Sequence, residues 1–255
     1  MEIAHLATGT VLSKCMKTMD ARGPQLTRND FLDFVLQLKP QVAAFDCDGT
    51  LWSGDAGERF FDWEINQGIV PPSVGEAMRA RYLEYKAGRV SEEAMCGEMV
   101  TMHEGMTEAA MMRAASDFML QAFPGRIFPE MQELVRRLQN NGCDIWAVSS
   151  SNEWVIRAGM QAFGIAHDHI LATRVPVENG VIGDRLACVP SGSGKPQALR
   201  TVVNRPIDAA FGNSRWDIEM LAMAKHAFAI NPNPDLEIQS RERGWTIYFP
   251  EGTRE

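Results

Sequence analysis

Nowhere does the 255-residue chain contain the roughly 18 consecutive apolar residues that a membrane span requires. Met1 to Pro40 also lacks the basic start and apolar block of a secretory signal, so a soluble, unexported protein is expected. Cysteine is sparse: Cys15, Cys47, Cys96, Cys143 and Cys188 are odd in number, widely scattered and form no Cys-x-x-Cys pair. That disfavours a disulfide framework and a zinc site, and suits a reducing cytoplasm. Positive charge is short as well, since 25 Lys and Arg stand against 33 Asp and Glu for a net charge of −8. No basic field exists to draw in a nucleic-acid backbone. Internal repeats and low-complexity tracts are absent. The 45% hydrophobic and 23% charged composition is that of a globular chain, not a disordered, collagenous or coiled-coil one.

What the chain does have is a set of short apolar runs that each end in polar residues. Val42-Ala43-Ala44-Phe45 shows no alternation, as expected of a central parallel strand covered on both faces, and stops at Asp46-Cys47-Asp48-Gly49-Thr50. Ile145-Trp146-Ala147-Val148 follows a helical pattern and ends in the polar loop Ser149-Ser150-Ser151-Asn152. Asp208-Ala209-Ala210-Phe211 ends in Gly212-Asn213-Ser214-Arg215-Trp216-Asp217, and Ala227-Phe228-Ala229-Ile230 ends in Asn231-Pro232. Strands separated by helices predict an α/β fold with right-handed crossovers and a doubly wound, Rossmann-like parallel sheet. The pieces flanking Glu178-Asn179-Gly180 predict a hairpin appendage. Residues 53–125 carry helical periodicity and few β-branched runs. They are too long for one crossover helix and predict an inserted all-helical cap, leaving 41–52 and 126–255 as the core. Residues 1–40 predict a helical extension docked on the core, with Asn29-Asp30 as the helix cap before Phe31.

In open α/β sheets ligands bind at the carboxyl ends of strands, where this chain places acids, hydroxyls and an amide, with a lysine nearby. Asp46 and Asp48, two residues apart at the end of a strand, can face one pocket, with Gly49 allowing a tight turn and Thr50 donating hydrogen bonds. One carboxylate can attack phosphorus while the other protonates the departing alkoxide and then activates water. Taken alone, Asp-Gly is also an ordinary turn, and Ser149 an ordinary helix cap. Gly192-Ser193-Gly194-Lys195 is not a phosphate-binding P-loop, because Val189 holds the first glycine position and Pro196 the hydroxyl position.

Asp46-Cys47-Asp48-Gly49-Thr50-Leu51 resembles the first motif of the haloacid dehalogenase superfamily. Ser149 resembles its second motif, Lys195 in Ser193-Gly194-Lys195-Pro196 its third, and Gly212 to Asp217 followed by Met220-Leu221 its fourth. The likeness runs from about Val42 to Phe249, and Asn231 to Trp245 resembles the phosphoserine phosphatase-like branch. The resemblance implies Asp46 as nucleophile, Asp48 as general acid and base, and Ser149 and Lys195 on the phosphate. It also implies Mg²⁺ near Asp46, Asp48, Asn213 and Asp217, and a small phosphorylated metabolite as substrate. Asn213 stands where the superfamily has a metal-binding aspartate, with Asp217 either behind the metal ligands or as the substitute acid. Asp55 falls where that branch contacts a substrate amino group, and Ser150-Ser151 replaces its Gly-Gly, so Asp55, Thr50 and Ser150 are the substrate-binding candidates.

The expected activity is therefore phosphatase chemistry through an aspartyl phosphate. A phosphotransferase or mutase of the same superfamily, or a non-catalytic module that binds a metabolite phosphate, remains an alternative. Met95, Met99, Met102 and Met106 at helical spacing read as core of the helical segment, His167-Asp168-His169 as structural, and Cys47 as packed away from the pocket.

Overall fold

The structure, a computed structural model, describes residues 26–253. Strand β1 (Val42–Phe45) has no polar side chain and is buried along its whole length. Its residues divide by alternation: Ala43 and Phe45 join one apolar layer with Phe211 and Phe228, while Val42 and Ala44 join the opposite layer with Leu199, Met220 and Leu236. Burial on both faces is what removed polar alternation from the sequence.

β1 pairs in parallel with β2 (Asp144–Asn152) on one side and β6 (Ala209–Gly212) on the other. The sheet continues outward through β3 (Ile170–Thr173) on the β2 side, and through β7 (His226–Ile230) and β8 (Thr246–Tyr248) on the β6 side. Its order, β3-β2-β1-β6-β7-β8, reverses direction of winding between β1 and β6. The crevice beyond the carboxyl ends of those two strands is the topological switch point where ligands bind in such sheets.

Helix α1 (Arg28–Gln37) docks on the core: Phe31 stacks on Tyr248 of β8 at 4.0 Å between ring centroids. Its cap is Thr27, whose hydroxyl accepts from the Asp30 amide, and not the expected Asn29-Asp30. Asp30 instead sits in the first turn, where its charge faces the positive end of the helix dipole. The rest of the expected extension, residues 1–25, lies outside the described residues.

Between β1 and β2 run α2 (Ala56–Asn66), α3 (Pro72–Lys86), α4 (Glu92–Thr101) and α5 (Glu108–Gln121), followed by the crossover helix α6 (Pro129–Asn140). The caps explain the breaks: Asp55, Ser91 and Thr107 each accept from an amide three residues on, and Pro72 and Pro129 occupy first-turn positions that need no N–H. The two ends of this insertion are tied together, with Ser53 N–H donating to Arg126 O at 2.8 Å and Phe128 N–H to Leu51 O at 3.0 Å. The helical segment thus leaves and rejoins the core at one place.

Three expectations change. Ser149 to Asn152 is not a loop but the end of β2, whose pairing with β3 is irregular between Val148 and Asn152. The hairpin of β4 (Val177–Glu178) and β5 (Val181–Ile182) is no free appendage, because Ile182 N–H donates to Met106 O at 2.9 Å and Gly105 N–H to Ile182 O at 2.9 Å, joining it to the segment before α5. The methionine row splits: Met95 is buried and Met106 packs against the core as expected, while Met99 lines a cavity that Met95 also borders and Met102 lies beside a shallow surface hollow. The remaining helices are α7 (Glu153–Met160), α8 (Gly194–Val202), α9 (Ile218–Met223) and α10 (Pro234–Arg243). As expected, Cys47 is buried in the core, and His169 is structural, held by Asp144 at 3.0 Å and stacked on Trp146.

Candidate active site

At the switch point a single ammonium serves two carboxylates. Lys195, at the start of α8 and 1% exposed, donates to Asp46 Oδ1 at 2.7 Å, to Asp217 Oδ1 at 2.6 Å and to the Val148 carbonyl at 3.0 Å. Its three donors are used, and the local charge is left one unit negative. Asp46, 6% exposed, also accepts from the Thr50 hydroxyl at 2.7 Å. Burial and the Asp217 charge push the Asp46 pKa up to about 7 against the pull of Lys195 and Thr50. For Lys195 burial works to lower the pKa, but the two carboxylates outweigh it and hold the ammonium charged.

Asp48 belongs to a second network. Its Oδ1 accepts from Trp52 Nε1 at 2.7 Å and from the Ala56 amide at 2.5 Å, and its Oδ2 pairs with the Ser151 hydroxyl at 2.7 Å. Burial and the nearby Asp55 raise its pKa to about 7, with those three hydrogen bonds opposing. A hydroxyl can reverse its role, so Ser151 suits either the protonated or the ionised acid. Neither Trp52 nor Ser151 stood out in the sequence. Trp52 lies one helical turn beyond Asp48, the only local signal, and Ser151 was one of three serines.

Asp217 ties Lys195 to the loop after β6. Its Oδ2 accepts from the Asn213 amide at 3.0 Å, the Ser214 amide at 2.9 Å and the Ser214 hydroxyl at 3.2 Å, while Oδ1 takes Lys195. Those donors saturate Oδ2 and fix the loop after β6. Asp48 likewise has both oxygens engaged, as does Asp46 through Lys195 and Thr50. The side chain of Asn213, by contrast, makes no hydrogen bond among the described residues and lies against the loop after β1. A Cβ built on Gly49, whose φ is +74°, would stand 1.8 Å from Asn213 Nδ2. Gly49→Ala is therefore expected to cost roughly 1–3 kcal/mol, from left-handed backbone strain plus the clash. Gly125→Ala, at φ +70° in open space, should cost only about 1 kcal/mol. Chemical denaturation of the two variants checks this, and equal losses would mean that the approach to Asn213 is unimportant.

The residues fit Mg²⁺ in one form. Among the described residues no group of three or more His, Cys, Asp or Glu is placed to hold a metal. Two hard oxygen donors stand just beyond the ends of the paired strands β1 and β6, the Asp46 carboxylate, whose oxygens also accept from Lys195 and Thr50, and the Asn213 carboxamide, which has no partner among the described residues. Mg²⁺ is commonly held by one or two carboxylates, water and substrate phosphate.

The other expected residues surround these groups. Ser149, 1% exposed on β2, accepts from the Ser151 amide at 3.1 Å. The Ser150 carbonyl accepts from the Thr173 hydroxyl at 2.6 Å, and Ser150 also lines a cavity of about 210 Å³ between β2 and the inserted helices. Asp55 lines it too, while capping α2 by accepting from the Glu58 amide at 2.7 Å. Burial, and after it the charges of Glu58 and Glu92, raise the Asp55 pKa to about 6 although that cap hydrogen bond opposes. Asp46 and Asp48 do not line this cavity themselves, but Ser151 does and so bridges it to Asp48.

A family model described as haloacid dehalogenase-like hydrolase matches residues 43–222, which takes in Asp46, Asp48, Lys195 and Asp217. The chain belongs to that family. Among its relatives is a histidinol-phosphatase of Neisseria meningitidis serogroup C, 23% identical over an alignment of 217 residues, which covers 81% of this chain and 97% of the relative. Of solved structures, a protein of unknown function from Bordetella pertussis Tohama I superposes with a TM-score of 0.72 at 20% identity, covering 81% of this chain and 97% of that one. A phospho-aspartyl intermediate analogue of phosphoserine phosphatase superposes with a TM-score of 0.54 at 18% identity, covering 82% and 92%. Both structures share the fold of this family member. Among the described residues no helix is long and apolar enough to cross a membrane.

Proposed function

We propose that this chain, a phosphoric monoester hydrolase of the haloacid dehalogenase-like family, cleaves a small organic phosphate monoester through an aspartyl phosphate on Asp46. The observation that carries the reading is the buried Asp46 carboxylate, ion-paired to Lys195 and separated by one residue from an acid whose environment favours the proton. Lys195, braced by Asp217, holds the nucleophile in place and supplies fixed positive charge where phosphate oxygens arrive. Ser149 is the donor for a phosphate oxygen. The Asp46 carboxylate and the Asn213 carboxamide would hold Mg²⁺, which when bound would offset anionic charge that otherwise repels the ester. We assign Asp217 to positioning and the Asp48 side chain to proton transfer. The helices between β1 and β2 act as a cap over the site.

In the first step an Asp46 oxygen bonds to phosphorus, the ester P–O bond breaks, and Asp48 gives its proton to the departing alkoxide. In the second, ionised Asp48 takes a proton from water, the water oxygen bonds to phosphorus, and the acyl phosphate bond breaks to return Asp46 and free phosphate. Borohydride trapping during turnover tests the intermediate: homoserine is expected at position 46, and its absence under conditions of active turnover would remove the covalent step.

Two variants probe the division of labour. Asp48→Asn is expected to slow turnover roughly 10²–10⁴-fold. With p-nitrophenyl phosphate it should still release one equivalent of nitrophenolate in a burst, because that leaving group needs no proton while water attack still needs a base. Full steady-state rescue would show that Asp48 is not the base. Asn213→Asp adds a charged oxygen and should lower the half-saturating Mg²⁺ concentration roughly 10- to 100-fold. Titration of Mg²⁺ against turnover at several substrate concentrations separates this from simple repulsion of substrate, which raises KM; an unchanged titration would take Asn213 away from the metal.

A further inference from the structure

Asp48 has only one oxygen on which to carry a proton. Its Oδ1 accepts from the Trp52 indole N–H and from the Ala56 amide, groups that donate and cannot accept, so Oδ1 has no acceptor for a hydrogen of its own. Trp52 holds that arrangement. It is fully buried, edge-on to Phe123 and against Gly159 of α7, where a Cβ would stand 2.8 Å from Trp52 Cη2. The proton of the acid form therefore sits on Oδ2, whose partner is the Ser151 hydroxyl at 2.7 Å.

When Asp48 carries its proton on Oδ2, Ser151 Oγ accepts it and the hydroxyl hydrogen turns away from Asp48. Among the described residues Ser151 Oγ has no second hydrogen-bond partner to receive that hydrogen. What remains open to it is the cavity, which Ser151 lines and Asp48 does not. At about 210 Å³ the cavity has room for the alcohol of a small ester, and Ser151 is the lining residue bonded to Asp48. Gly57, in the first turn of α2, makes space for the hydroxyl: a Cβ there would stand 2.4 Å from Ser151 Oγ, so a larger residue would displace it.

We propose that Ser151 is a catalytic residue, the hydroxyl through which a proton passes between Asp48 Oδ2 and the oxygen leaving phosphorus. As the ester P–O bond breaks, the Oδ2 proton moves to Ser151 Oγ while the Ser151 hydrogen moves to the departing oxygen. The products are an alcohol, a neutral serine and the Asp48 carboxylate. In the second step the exchange runs backwards: as the water oxygen bonds to phosphorus, a water proton passes to Ser151 Oγ and the Ser151 hydrogen returns to Oδ2. The serine is regenerated in each step, and no outside acid or base is needed. Trp52 is then a positioning residue, because it keeps Oδ1 occupied and leaves Oδ2 to face Ser151. The inference rests on the aspartyl-phosphate reading above, leaves its net proton transfer as written, and adds the group that carries the proton.

The test uses the wild-type full chain with Mg²⁺ and two esters of similar size. p-Nitrophenolate leaves without a proton, whereas phenolate leaves better with one. For phenyl phosphate, kcat/KM measured across mixtures of light and heavy water is expected to give a bowl-shaped curve, since two protons move together. A straight line, the signature of one proton in flight, would overturn the relay. Ser151→Ala is expected to lower the ratio of kcat/KM for phenyl phosphate to that for p-nitrophenyl phosphate roughly 10- to 100-fold. That is less than the full worth of acid catalysis, because phenolate is only a moderately poor leaving group. Ser151→Thr, which restores a hydroxyl, should recover the ratio. The ratio is internal to each variant, so a loss of folded protein does not move it. A Ser151→Ala ratio equal to that of wild type, a ratio that Ser151→Thr fails to restore, or phenyl phosphate left untouched by wild type also overturns the proposal. With p-nitrophenyl phosphate still hydrolysed, each of these outcomes leaves the phosphatase reading standing. If wild type releases phosphate from neither ester, that reading fails and the relay fails with it.

Discussion

Asp46→Asn is expected to lower kcat by at least about 10⁴-fold, the scale seen when a covalent nucleophile is removed and binding and charge stabilisation remain. The amide nearly matches the carboxylate in shape but is a far poorer nucleophile. Its oxygen can still accept from Lys195 or Thr50, which now reach Asp46 at 2.7 Å each. The substitution also leaves one carboxylate, Asp217, to one ammonium, which relieves the repulsion that raises the Asp46 pKa. The melting temperature should therefore hold or rise while turnover disappears. A phosphate-release assay and a thermal melt on one preparation, with mass spectrometry to exclude deamidation of the introduced amide, check both halves. Turnover within tenfold of wild type would show that Asp46 is not the nucleophile, and a large drop in melting temperature would show that its charge is structural.

The strands flanking the site were legible because burial on both faces leaves an unbroken apolar run, as in Val42–Phe45 and Ala209–Phe211. The edge strands were not. Thr246–Tyr248 is three residues long and partly exposed, and Ile170–Thr173 directly follows the His167–His169 turn, so neither stood out by pattern. The end of β2 was hidden for a different reason. Its Ser149–Asn152 stretch is polar and reads as a loop, yet it stays extended, with Asn152 paired to Thr173 and the Ser150 carbonyl accepting from the Thr173 hydroxyl.

Within the site, Asp46, Asp48, Thr50 and Lys195 could be found because they sit at strand or helix ends with compatible chemistry. The partner of Asp48 could not, since Ser151 meets it across 103 positions. Asp217 was legible as a residue, but its hydrogen bonds were not. Its place in the resemblance gave no sign that it would also bind Lys195 and the loop amides.

Lys195→Met should be the most destabilising single change at the site. Methionine fills much of the lysine volume, so packing is largely kept and the loss is electrostatic. Asp46 and Asp217, both at most 6% exposed, would be left facing each other without their shared cation. Removing one partner from a buried ion pair costs about 3–5 kcal/mol, which for a chain of this size is a fall in melting temperature of roughly 10 °C or more. The deficit should depend on pH with a definite sign. Without Lys195 at least one of the two carboxyls holds a proton in the folded state well above the ordinary carboxylate range. The folded variant then binds more protons than the unfolded chain, and its stability falls as pH rises through that interval. Denaturation should accordingly show a smaller gap from wild type near pH 5 than near pH 8. Adding Asp217→Asn removes one of the stranded charges and should recover part of the loss, because the amide oxygen can still accept from the Asn213 and Ser214 amides. A Lys195→Met variant equally destabilised at every pH, with no recovery on adding Asp217→Asn, would mean that Lys195 contributes through packing and not through the charge it shares between Asp46 and Asp217.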